Sequence, residues 1–203
     1  MSNLIFAGKK PVEGGKAAIL IHGRGASAES ILSLKSYLNL DQYALVAPQA
    51  SDNTWYPYSF MAPDESNQPK LEQSLSQIQD AFEYLTKAGV SPADILILGF
   101  SQGACLSLEF SARNAQKFKG IIAFTGGLIG ENLSPSTYQG DFQNTPILIS
   151  GSDQDFHVPF ARMEESSNLL EKMGANVKLL TFKDPAHTIR QEEVDWVNEH
   201  FLG

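Results

Sequence analysis

Apolar residues along the chain fall into two alternating patterns. Short unbroken runs are followed by longer stretches whose apolar positions recur about every 3.6 residues. Ala17 to Ile21, Tyr43 to Ala47, Ile95 to Leu98, Gly120 to Phe124 and Pro146 to Ile149 are runs of the first kind and, with Val177 to Phe182, predict strands. Between them, Ser27 to Leu38 sets Ile31, Leu34 and Leu38 on one helical face. Leu71, Leu75, Ile78, Phe82 and Leu85 recur at four and three, the strongest helical stripe in the chain. Asn67 with Pro69 supplies its start and Gly89 its stop. Ala104 to Gln116, Met163 to Met173 and Ile189 to His200 predict three further helices.

This alternation of strand and helix implies right-handed crossovers. The expected architecture is α/β, a mostly parallel central sheet with helices on both faces, in a single domain over 1–203. No repeat, low-complexity tract or linker interrupts it. Two connections are too long for simple turns, Ala50 to Ser66 and Leu128 to Thr145. In such a sheet ligands bind beyond the carboxyl ends of the strands. The segments converging there are His22-Gly23-Arg24-Gly25, the 50–66 loop, Ser101-Gln102, the 151–160 loop and the loop holding His187.

Those segments carry nucleophile chemistry. Gly99-Phe100-Ser101-Gln102-Gly103 lies between a predicted strand and a predicted helix, where a sharp turn lifts the serine hydroxyl above the sheet. Both glycines answer to the crowding of that turn, and the helix start behind it favours negative charge. A serine hydroxyl needs a base in hydrogen-bond reach, and the base needs an orienting acid. Of the four histidines, His22 belongs to the first strand end and His200 to the end of the last helix, leaving His157 and His187. The chain order serine, acid, histidine selects His187 as base. The acid belongs after the strand ending at Ile149, where Asp153 and Asp155 are both candidates; Asp184 lies on the wrong loop. Oxyanion donors are expected from the backbone N–H groups of Gln102 and Arg24, with Gly23 and Gly25 giving close access. Trp55, Tyr56, Tyr58, Phe60 and Met61 on the 50–66 loop read as a substrate-pocket wall, with Leu128, Ile129, Phe156 and Phe160 opposite. The Arg24 guanidinium is expected to pair with one of the local acids, the alternative being a carboxylate on the substrate. Cys105 should point into helix–sheet packing.

Composition narrows the partners. The chain has 203 residues and a formal net charge of −8, which argues against a nucleic-acid partner. Its single cysteine excludes an intramolecular disulfide and fits a reducing compartment. The first residues lack a basic start and a signal-like apolar core, and no run is long enough to span a bilayer, so no stable membrane insertion and a cytoplasmic location are expected. No spacing resembles a zinc site or a dinucleotide fingerprint; no metal and no cofactor are expected.

Four ordered motifs carry a resemblance over nearly the whole chain, from Ile19 to the last helix. Leu20-Ile-His-Gly-Arg-Gly25, Gly99-Phe-Ser-Gln-Gly103, Asp155-Phe-His-Val-Pro159 and Ala186-His187-Thr-Ile189 resemble the α/β-hydrolase superfamily, in its carboxylesterase, lysophospholipase and acyl-protein thioesterase branch. The resemblance implies the α/β-hydrolase fold and a triad of Ser101, Asp155 and His187, taking Asp155 over Asp153. It implies a serine carboxylesterase working through an acyl-enzyme, with a lysophospholipase or acyl-protein thioesterase as the alternative. A noncatalytic binding protein on the same scaffold is the reading from another class. Substrate contacts are assigned to Trp55, Tyr56 and Phe156, the substrate being a small-molecule ester or thioester, and a homodimer is among the expected assemblies. The chain departs from the branch at Arg24, Ala26, Pro57 and Ala186, where leucine, aspartate, aspartate and glycine are usual.

Overall fold

Strands covered on both faces need apolar residues at every position, and the chain supplies them. In β2 (Lys16–Ile21) all residues but Lys16 are buried, and β3 (Tyr43–Pro48) and β5 (Gly120–Phe124) are buried throughout. With β4 (Ile95–Phe100), β6 (Pro146–Ser152) and β7 (Asn176–Phe182) they form a parallel array. The computed structural model describes residues 3–203 and adds a strand that the apolar pattern does not announce, β1 (Leu4–Gly8), antiparallel to β3. The sheet order is β1-β3-β2-β4-β5-β6-β7. β1 is an edge strand, only half covered, so its residues carry no buried run and no clean alternation.

Because successive side chains point to opposite faces, the sheet divides the core in two. Ala17, Ile19 and Ile21 face the helices α2 (Lys70–Lys87), α3 (Gln102–Arg113) and α4 (Phe160–Lys172). Ala18 and Leu20 face α1 (Ala28–Leu32) and α5 (Gln191–His200). The stripe Leu71, Leu75, Ile78, Phe82 and Leu85 is buried against the first of these faces, each side chain contributing about 2 kcal/mol of gross transfer free energy.

Helix boundaries moved where polar side chains had other work. Asn67 does not cap α2; Pro69 stands at the cap without a side-chain bond. Asn67 is buried and braces the preceding loop, accepting from Tyr58 N at 2.9 Å and donating to Ser59 O at 2.8 Å. α1 closes after five residues into a 3-10 turn over Ser33–Ser36, with the Ser33 hydroxyl bonded back to Ser30 O. α3 begins at Gln102, directly after the turn at Ser101, and ends before Gln116, where the Asn114 amide donates to Phe110 O.

The approach of α3 to β2 depends on Gly103. A Cβ there would stand 2.1 Å from Ile21 O and 2.6 Å from His22 O, both backbone atoms that cannot rotate away. Gly103→Ala is therefore expected to destabilise the fold by about 3 kcal/mol. Denaturant unfolding measures this, and an unchanged midpoint would mean that α3 can retreat from β2 at no cost.

Candidate active site

β4 runs into α3 through one residue. Ser101 has φ 54 and ψ −118, a backbone conformation that a side chain rarely adopts. Two hydrogen bonds hold it there: Ser101 N donates to Phe124 O at 2.9 Å and Cys105 N to Ser101 O at 3.0 Å. Gly99 and Gly103 make the turn possible, since a Cβ on Gly99 would meet Gly103 O at 2.1 Å. The strained turn aims Oγ away from the sheet, toward His187.

His187 Nε2 lies 2.8 Å from Ser101 Oγ, and its Nδ1 lies 2.7 Å from Asp155 Oδ2. The Asp155 side chain is 1% exposed, His187 25%. Each carboxylate oxygen has its own task. Oδ1 accepts from His157 N at 2.7 Å and Val158 N at 3.2 Å, which fixes the carboxylate plane, while Oδ2 faces the imidazole. A carboxylate at Nδ1 fixes the tautomer with a bare Nε2 toward the serine and stabilises the imidazolium. Asp153, the alternative left open by the spacing, is exposed on the same loop. Asp184 is used elsewhere: it binds Arg190 and Ala186 N, bracing the loop that carries His187. The Arg190 guanidinium holds the Asp184 carboxyl below the usual range.

The backbone N–H groups of two cavity-lining residues, Gln102 and Arg24, are the candidates for holding an oxyanion. That of Gln102 opens α3, where a first-turn N–H has no intrahelical acceptor. That of Arg24 has no backbone acceptor among the described residues. The side chains of the same two residues staple the 50–66 loop over the site. Gln102 accepts from Trp55 N at 3.0 Å and donates to Tyr56 O at 2.8 Å. Arg24 donates to the carbonyl oxygens of Tyr56, Pro57 and Tyr58. This overturns the expectation of a local acid partner for Arg24. The stapling role of the Gln102 side chain went unread in the sequence.

The loop closes over a cavity of about 460 Å³ whose wall includes Tyr56, Tyr58, Phe60, Val158 and His157 beside Ser101 and His187. Tyr56 borders it, although the residue is only 2% exposed. Trp55 does not: it is 1% exposed, tilted against His22, with its indole N–H donating to His22 O at 2.8 Å. It anchors the loop from beneath. Phe156 does not line the cavity either; it is 94% exposed. The two backbone bonds to Asp155 turn the chain there and throw residue 156 outward. Leu128 and Ile129 are buried in the core, so the opposite wall comes from His157 and Val158. The place of His157 two residues after the acid brings it to the cavity, a consequence that the sequence spacing offers. His22 is buried, with Nδ1 toward Gly23 O and Nε2 accepting from Ala50 N; burial lowers its pKa.

Cys105 is 1% exposed behind the site, and burial pushes its thiol up to about 12. At pH 8 the thiolate is then about one part in ten thousand. Iodoacetamide at that pH is expected to leave Cys105 unmodified in the native protein; stoichiometric alkylation by mass spectrometry would show that the helix opens. Among the described residues no group of three or more His, Cys, Asp or Glu can hold a metal, and no helix is long and apolar enough to cross a membrane.

Comparison with known proteins gives the family. The model of the phospholipase/carboxylesterase family matches residues 3–202. The crystal structure of a phospholipase/carboxylesterase from Dyadobacter fermentans is 44% identical, covers 100% of this chain and 97% of that one, and superposes with a TM-score of 0.98. An acyl-protein thioesterase 1 from Neurospora crassa is 32% identical over 132 residues, 64% of this chain and 53% of the relative. A probable carboxylesterase SOBER1-like protein from Arabidopsis thaliana is 26% identical over 156 residues, 76% of this chain and 58% of the relative. The chain thus spans little more than half the length of these two curated relatives. The fold is the α/β-hydrolase fold.

Proposed function

Because the chain belongs to the phospholipase/carboxylesterase family, we propose that it hydrolyses carboxylic esters or thioesters through an acyl-enzyme on Ser101. The observation that carries this reading is the unbroken relay from Ser101 Oγ to His187 at 2.8 Å and on to Asp155 at 2.7 Å. A noncatalytic binding protein has no use for a strained serine aligned with a buried carboxylate through one imidazole.

The chemistry follows from the positions. His187 Nε2 takes the Ser101 proton as Oγ attacks the substrate carbonyl. Negative charge moves to the carbonyl oxygen, and the N–H groups of Gln102 and Arg24 receive it. Asp155 stabilises the imidazolium. His187 then returns the proton to the departing alcohol or thiol, leaving an ester on Ser101. Water, deprotonated by the same imidazole, releases the acid. The cavity wall of Tyr56, Phe60 and Val158 gives the apolar part of the substrate its contacts.

A fluorophosphonate probe tests the reading. It is expected to label Ser101 in the wild type and to label neither Ser101→Ala nor His187→Ala. Labelling at another serine would overturn the assignment. The acyl-protein thioesterase and lysophospholipase alternatives differ in chain length, which the relative kcat/KM of acetyl, octanoyl and palmitoyl esters reads directly.

A further inference from the structure

Arg24 stands at the cavity mouth, and among the described residues no carboxylate compensates its charge. Its three hydrogen bonds, at 2.8 to 3.0 Å, go to neutral backbone carbonyls of residues 56–58. They fix the guanidinium in place without neutralising it. Three of its five N–H donors are engaged, which leaves Nε–H and one N–H on Nη1. Among the described residues no carboxylate forms an ion pair with it. That is a notable omission in a chain with 23 acids against 15 Lys and Arg.

The wall of the cavity repeats the omission. Among the described residues it contains no Asp or Glu, and Asp155 is screened behind His187. The other rim carries His157, whose ring sits edge-on to His187 with centroids 5.1 Å apart. Its side-chain nitrogens have no hydrogen-bond partner among the described residues, while its backbone N is held by Asp155. A fixed cation, an imidazole with open donor capacity and a wall without acids among the described residues surround Ser101. A neutral ester makes no ionic contact with that arrangement. An anion does, because the guanidinium is already oriented and needs no further ordering to bind it.

We propose that this site acts on esters or thioesters that carry a second, anionic oxygen group, in the simplest case a carboxylate, bound by the free donors of Arg24 with His157 on the opposite rim. The proposal rests on the hydrolase reading of Ser101. The carboxylate belongs either to the acyl part or to the leaving group, and both sources present the same chemistry to Arg24.

Two pairs of esters separate the sources. Phenyl hydrogen adipate against phenyl methyl adipate puts the charge on the acyl side. 4-Acetoxybenzoate against its methyl ester puts it on the leaving group. For each pair the readout is the anionic-to-neutral ratio of kcat/KM, compared between wild type, Arg24→Gln and Arg24→Lys, so intrinsic reactivity differences cancel. In one pair the ratio is expected to fall about tenfold or more in Arg24→Gln. It should be largely retained in Arg24→Lys, which keeps the charge and loses the fork, and should erode when salt is raised to about 0.5 M. A ratio that Arg24→Gln leaves unchanged in both pairs overturns the proposal. So does Arg24→Lys behaving as Arg24→Gln, which would reduce the residue to a loop anchor. Turnover of the neutral esters tests the hydrolase reading separately, and failure to cleave any of the four esters would overturn both.

Discussion

Ester turnover by the Ser101→Ala variant is expected to fall by about a millionfold, close to 8 kcal/mol of transition-state stabilisation. No other group in the cavity can replace the lost oxygen. Cys105 is buried with its thiol pushed up to about 12. Ser59 has no base; its hydroxyl oxygen accepts from Met61 N. His187→Ala is expected to fall about as far, and the double variant no further, because the two side chains act as one unit. The N–H groups of Gln102 and Arg24 survive in all three variants, so residual activity above the uncatalysed rate should remain. The fold should survive too. The turn at residue 101 is held by backbone bonds to Phe124 and Cys105, which alanine keeps. Steady-state kinetics with phenyl acetate, alongside thermal unfolding, measures both. A loss below about a hundredfold with the fold intact would place the nucleophile elsewhere.

What the sequence reveals here tracks how far local sterics determine structure. β2 and β5 are covered on both faces, so their apolar runs leave no other reading. The turn at Ser101 is legible because its two glycines face backbone atoms at 2.1 Å, a crowding that no side chain tolerates. β1 is different: half exposed at the sheet edge, it is held by pairing with β3, which its own residues do not encode. The two aspartates after β6 look alike in sequence. What separates them is a turn in which Asp155 collects the N–H groups of His157 and Val158, and only a motif resemblance pointed to it. Loop aromatics were the least legible. Composition marks the 50–66 loop as apolar, but without a period it cannot say that Trp55 turns inward under the loop while Tyr56 borders the cavity. Arg24 failed for a related reason. A cation in an acidic chain is expected to find a carboxylate, and three carbonyls of one stapled loop were nearer.

The Asp155→Asn variant is expected to keep its fold and lose about ten-thousandfold in kcat. The asparagine carbonyl oxygen can take the place of Oδ1 and accept from His157 N and Val158 N, so the loop stays ordered. Its amide nitrogen then occupies the place of Oδ2, 2.7 Å from His187 Nδ1. An NH2 group there is a donor, so Nδ1 must become the acceptor and the ring proton moves to Nε2. Nε2–H now faces Ser101 Oγ and has no lone pair for the serine proton. The nucleophile is present, 2.8 Å from an imidazole in the wrong tautomer. The opposite amide orientation is worse, because it sets NH2 against two backbone N–H donors in a site where the side chain is 1% exposed. The defect is therefore one of protonation, and it predicts a specific recovery: raising the pH should restore part of the rate as hydroxide substitutes for the missing base. A pH–kcat profile that simply parallels the wild type, at a rate within tenfold of it, would show that Asp155 holds the loop and does not set the tautomer.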